Sequence, residues 1–145
     1  MNREWHLFIS PHFDDVAFSC GGTLLNRIRS HQHTTLCTVF SRDARPMGRF
    51  ALECQESKGV PHTVGYLEMR SKEDAAYGAK NGVTDRLELG FLEAPYRGYD
   101  SIPSLFDSLQ ETDRTLGGRI SDEICRIIDG CDCRCTLYMP SAIGG

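Results

Sequence analysis

No stretch of this 145-residue chain is apolar for long enough to cross a bilayer; its hydrophobic runs fall far short of a span. A long basic run is missing too. Net charge is −4, from 16 basic and 20 acidic residues, which argues against general nucleic-acid binding through backbone electrostatics. The opening residues Met1-Asn2-Arg3-Glu4-Trp5-His6 lead straight into a strand-like run without the apolar segment of a signal peptide, and the sequence predicts a cytoplasmic protein. Internal repeats, linkers and low-complexity tracts are absent, so residues 1–145 read as a single domain with a modest core. No Gly-x-Gly-x-x-Gly follows the first strand-like run, which removes the dinucleotide-binding fingerprint.

Cysteine, by contrast, is plentiful: there are seven. Cys20, Cys37, Cys54 and Cys125 are scattered through helix- and strand-like segments, as suits reduced, partly buried thiols. Cys131, Cys133 and Cys135 alternate after Gly130, which in an extended strand puts all three on one side. A soft metal is one reading; the cluster lacks the Cys-x-x-Cys spacing of most structural zinc sites, and a loop entering a strand is preferred.

The hydrophobic pattern alternates between strands and helices. Trp5–Ser10 is continuously apolar, as expected of a parallel strand covered on both faces. A helix is expected over about 21–30, then a β-branched strand over 34–40. A helix over 50–58 and a better one over 68–80 follow, the latter closed by Asn81-Gly82. Residues 83–92 read as a third strand and 102–116 as a polar flap or variable loop. The helix over 119–129 carries Ile120, Ile124, Ile127 and Ile128 on one face, and 136–140 is the fourth strand. This order predicts an α/β, Rossmann-like domain: a mainly parallel sheet of about four strands with helices on both faces.

The chemistry concentrates in Ser10-Pro11-His12-Phe13-Asp14-Asp15, followed by Gly21-Gly22-Thr23. Histidine and carboxylate at i and i+3 can converge on one divalent metal, leaving the neighbouring carboxylate free to take a proton from an activated water. The plainer alternative is a turn in which Asp14 or Asp15 caps the following helix. Two features favour the metal. Adjacent acids at the end of a buried strand repel unless a cation is present, and strand ends are where open α/β sheets place ligands.

Pro-His-Phe-Asp-Asp, five residues, then Gly-Gly-Thr resembles the signature of the LmbE/PIG-L family of zinc-dependent de-N-acetylases, which act on N-acetylglucosamine-type sugars. The resemblance implies that His12 and Asp15 are ligands of zinc, or another divalent metal, and that Asp14 is the general base. Arg70-Ser71-Lys72-Glu73 resembles the family's Arg-x-x-Glu element and implies that Arg70 faces the substrate or a neighbouring acid; helix-surface pairing is the alternative. Glu93 and Arg97 resemble an aspartate and arginine just past the family's third strand, which implies a sugar-binding role. Glutamate for aspartate is a departure, since the longer side chain has to reach the sugar differently. Arg42 and Arg45, in the loop after the second strand, read as solvated charges or contacts to an anionic substrate group.

The implied function is hydrolysis of the acetyl group from a small acetamido-sugar conjugate, with oligomeric state, homo-oligomer included, left open. Two other classes compete: a fragment or degenerate member that binds metal or sugar without turnover, and a metal-dependent hydrolase of another amide or ester. His6, His31, His33 and His62 read as surface or structural histidines. The last residues, Tyr138 to Gly145, resemble the family's final strand and the Gly-Gly that leads into a His-x-x-His element, the source of a third zinc ligand. The expectation is a domain incomplete at its C-terminus, inactive or nearly so, with apolar surface exposed near Leu137 and Met139.

Overall fold

Trp5-His6-Leu7-Phe8-Ile9 offers no solvent-facing side, and it forms the interior of the sheet. In the computed structural model, which describes residues 4–107 and 109–141, strand β1 (Glu4–Ser10) lies between β2 (His33–Arg42) and β4 (Arg134–Tyr138), with β3 (Asp85–Leu92) outside β2. The order is β3-β2-β1-β4 and every pairing is parallel. Parallel neighbours need crossovers, supplied by α1 (Asp15–Arg29), by α2 (Arg49–Ser57) with α3 (Tyr66–Asn81), and by α4 (Ser104–Asp107) with α5 (Leu116–Asp129).

Side chains of β1 alternate between two layers. Trp5, Leu7 and Ile9 join Cys37, Val39 and Ile124 of α5; Phe8 turns the other way, onto Val16 and Leu24 of α1 and Leu36, with Tyr77 of α3 beside them. Each fully buried Leu or Phe contributes about 1.5–3 kcal/mol by leaving water, so one short strand anchors helices on both faces. His6 is buried with them. Its Nδ1 lies 3.2 Å from the Tyr138 hydroxyl, and burial pushes its pKa down despite Glu4. It is a structural histidine.

The α/β sheet is as the sequence pattern predicts; two helix starts, the expected flap and the cysteine cluster differ. Helix α1 starts at Asp15, six residues before Gly21, and is two helical pieces joined across Cys20, whose φ of −140° leaves the helical range. Helix α5 extends back to Leu116. The segment expected to be a flap contains α4 and a 3-10 turn at Glu111–Asp113, and the buried Asp113 ties that turn down. Cys131 and Cys133 form a disulfide, while Cys135 stays free and packs against the Trp5–Ile9 layer. That removes the three-thiol arrangement. Residues 142–145, which carry the Gly144-Gly145 expectation, lie outside the described residues. Among the described residues no helix is long and apolar enough to cross a membrane.

Candidate active site at the end of the first strand

Ser10 ends β1 inside the sheet, and its hydroxyl shapes the loop that follows. It donates to the His12 carbonyl at 2.6 Å and accepts the Val16 N–H at 3.3 Å, bridging the loop to the first turn of α1. Phe13 is buried in between, so His12 and Asp14, on either side of it, lie nearer solvent. Asp14 takes a left-handed conformation, φ 76°, which aspartate tolerates better than most residues. That turn separates the two carboxylates. Asp15 Oδ2 folds back to accept the His12 N–H at 2.8 Å and lies 3.3 Å from His12 Nδ1. Asp14 makes no capping hydrogen bond, which disposes of the helix-cap alternative for it, and its Oδ2 instead accepts from Arg70 Nη2.

The His12–Asp15 spacing can be tested against a metal. Two ligands on a tetrahedral zinc, each about 2.0–2.1 Å from it, sit about 3.3 Å apart. The observed 3.3 Å between Nδ1 and Oδ2 fits two ligands of one such ion. The pair is also open, with side-chain exposures of 52% and 41%. Among the described residues no group of three or more His, Cys, Asp or Glu side chains is placed to hold a metal. The two side chains thus have a spacing compatible with one ion, and among the described residues no third such ligand stands beside them.

Arg70 reaches the loop from α3. It pairs with Asp14 and with Glu73, and these carboxylates raise its pKa even though burial alone would lower it. Surface pairing with Glu73 and contact with the site are thus both real. Glu93, just past β3, is pushed above the usual carboxylate range by burial, against the opposing positive charges of Lys58, Arg97 and Arg70. Arg97 is held inward. Its Nε donates to both Asp113 oxygens at 3.0 Å, its Nη1 donates to the Leu92 carbonyl at 2.6 Å, and the guanidinium lies 4.8 Å from the Phe40 ring centre. Phe40 in turn stacks on the His12 imidazole, ring centres 5.5 Å apart.

Arg45 pairs with Asp43 at 3.3 Å, and Arg42 is exposed. The remaining histidines stand elsewhere: His33 binds Asp85 at 2.5 Å, His62 binds Glu56 at 2.6 Å, and His31 is exposed after α1. Sequence reasoning missed Ser10's bridge, Phe40 and Asp113. Asp113 sits in a polar stretch where nothing in the local pattern separates a buried acid from a solvated one.

Chain direction explains why these parts meet. From β1 the chain steps outward through β2 to β3, then returns to the far side of β1 as β4, so the order reverses between β1 and β4. Such a reversal opens a crevice at the carboxyl ends of the strands. A cleft of about 870 Å³ lies there, lined by Pro11 and Asp15 on one side and by Leu137, Tyr138 and Met139 on the other, with Phe18 across it. Phe18, Leu137 and Met139 are exposed.

A family model for GlcNAc-PI de-N-acetylases, PIG-L, matches residues 7–142. A 2'-N-acetylparomamine deacetylase of Streptomyces fradiae is 36% identical over 147 residues, covering 100% of this chain and 48% of that protein. Among solved structures, an antimicrobial pseudoaglycone deacetylase is 27% identical, with a TM-score of 0.72 over 90% of this chain and 48% of its own. A deacetylase in complex with teicoplanin, from the teicoplanin biosynthesis pathway, is 24% identical and shares the fold with a TM-score of 0.77, over 92% of this chain and 57% of its own. The chain thus spans about half the length of the relatives it matches.

Proposed function

The chain belongs to the PIG-L family of GlcNAc-PI de-N-acetylases, and from that premise we propose that it carries the site of a metal-dependent de-N-acetylase acting on an acetamido-sugar conjugate. The observation that carries the reading is the His12–Asp15 donor pair at the end of β1, with the separate carboxylate of Asp14 beside it. His12 and Asp15 would hold the ion. A bound zinc supplies a water acidic enough to ionise near neutral pH and polarises the amide carbonyl.

The chain's own groups do the rest. Asp14, turned away from Asp15 by its left-handed backbone, receives the proton of the attacking water. Arg70 compensates its charge and fixes its direction, so the proton acceptor is aimed before substrate arrives. Glu93, half-buried just past β3, would accept hydrogen bonds from sugar hydroxyls. Arg97 would back the site from behind Phe40, over whose ring its guanidinium lies. The Streptomyces relative's name, a deacetylase of an N-acetylated paromamine, supports an amino-sugar substrate.

The test is acetate release from N-acetylglucosamine conjugates, set beside simple esters and N-acetyl peptides. Asp14→Asn retains the side chain's shape and its tolerance of left-handed backbone, and should lower acetate release by about 10²–10⁴-fold, the usual worth of a general base. Bound metal without acetate release would favour the non-catalytic reading. Faster hydrolysis of the ester or peptide would favour the other hydrolase.

A further inference from the structure

We propose that Asp113 is a positioning residue for His12, acting through Arg97 and Phe40. The inference deepens the metal-site reading and rests on it for the zinc measurement below. Asp113 is buried, 4% exposed at its side chain. Both its oxygens take the Arg97 Nε–H at 3.0 Å, and the Tyr99 hydroxyl donates to Oδ2 at 2.9 Å. These bonds, with Arg97 Nη1 on the Leu92 carbonyl, lock a long side chain that would otherwise sample many rotamers.

The locked guanidinium is what faces Phe40, at 4.8 Å from the ring centre. Phe40 is fixed at its other end by its N–H on the Pro11 carbonyl at 2.8 Å, one residue before His12. Its ring stacks on the imidazole with the planes 30° apart. In this arrangement His12 Nδ1 faces Asp15 Oδ2 at 3.3 Å. Two groups therefore face the His12 ring among the described residues: the Phe40 ring stacked on it and the Asp15 carboxylate, 3.3 Å from Nδ1. Partners hydrogen-bonded directly to a metal ligand typically change metal affinity about 10–100-fold when removed, an upper bound for a residue acting through Arg97 and Phe40. Asp74, the comparable buried acid, also pairs with an arginine, Arg86, but that pair joins α3 to β3; Asp113 is the buried acid whose arginine leans on the His12 stack.

The experiment compares wild-type chain with Asp113→Asn, Arg97→Lys and Tyr99→Phe by NMR of the His12 ring in the metal-free protein, by zinc titration and by thermal melting. Asp113→Asn and Arg97→Lys should move the His12 ring resonances, as Phe40's ring current shifts off them, and should weaken zinc by up to about 10-fold, the lower end of the effect of a direct partner. Tyr99→Phe removes one hydrogen bond to Asp113 but leaves Arg97 in place; it should lower the melting temperature and leave ring and zinc unchanged. A folded Asp113→Asn chain with wild-type His12 resonances overturns the proposal and makes Asp113 a structural pin. If Asp113→Asn fails to fold, Arg97→Lys decides: unmoved His12 resonances overturn it. Should the wild-type chain take no zinc, the metal-site reading falls, while the metal-free ring resonances still decide the positioning role.

Discussion

Asp14 and Asp15 are neighbours in the chain, yet one left-handed backbone step gives them separate partners. Arg70 compensates the first, and the His12 backbone and imidazole face the second. A flat pair of carboxylates would repel; the turn divides them between two sets of partners. Cys37 shows the same control by environment without any site. It is fully buried in β2, and burial, helped by Glu123, raises its thiol pKa from 9.0 to about 11. Because the thiolate is the reactive form, native-state alkylation at pH 8 should label exposed Cys125 and spare Cys37 until the chain unfolds. The sign of the linked stability follows. The unfolded thiol loses its proton near 9 and the folded one near 11, so between those values the unfolded state binds fewer protons and stability falls as pH rises. Alkaline unfolding of Cys37→Val should lack that portion of the slope; an unchanged slope would show that the thiol does not contribute.

Helix ends give the clearest element-scale test. Gly82 closes α3 at φ 83°, a conformation that costs an L side chain roughly 1–2 kcal/mol. Gly22 lies within α1 with nothing within 4 Å of where a Cβ would stand. Gly82→Ala should therefore destabilise by about 1 kcal/mol and Gly22→Ala should stabilise by about 0.5–1 kcal/mol, both read by denaturant unfolding. Equal effects would mean the backbone argument is wrong. The same helices show what the sequence makes legible. The end of α3 is written locally, in Asn81-Gly82, and β1 in its unbroken apolarity. The start of α1 is not, because Gly21-Gly22 looks like an opening whereas the helix begins at Asp15 and bends at Cys20. The His12–Asp15 pairing follows from i,i+3 spacing. Arg97's inward hold does not, since it depends on Asp113, 16 residues away along the chain.

Across the whole molecule, the β3-β2-β1-β4 order brings the separate pieces to one edge: the His12 loop after β1, Phe40 near the end of β2, Glu93 and Arg97 after β3, and the cleft beside β4. That convergence was readable from the alternation of strands and helices, because parallel strands put every following loop on the same side. The reversal between β1 and β4 needed the structure. The central claim is that His12 and Asp15 hold one divalent ion while Asp14 handles the proton. It is tested most directly by zinc content per chain after dialysis, measured for wild type, His12→Ala and Asp14→Asn. The account predicts one ion for wild type and for Asp14→Asn, and little or none for His12→Ala. Equal zinc loss in both variants, or zinc retained by His12→Ala, would contradict it.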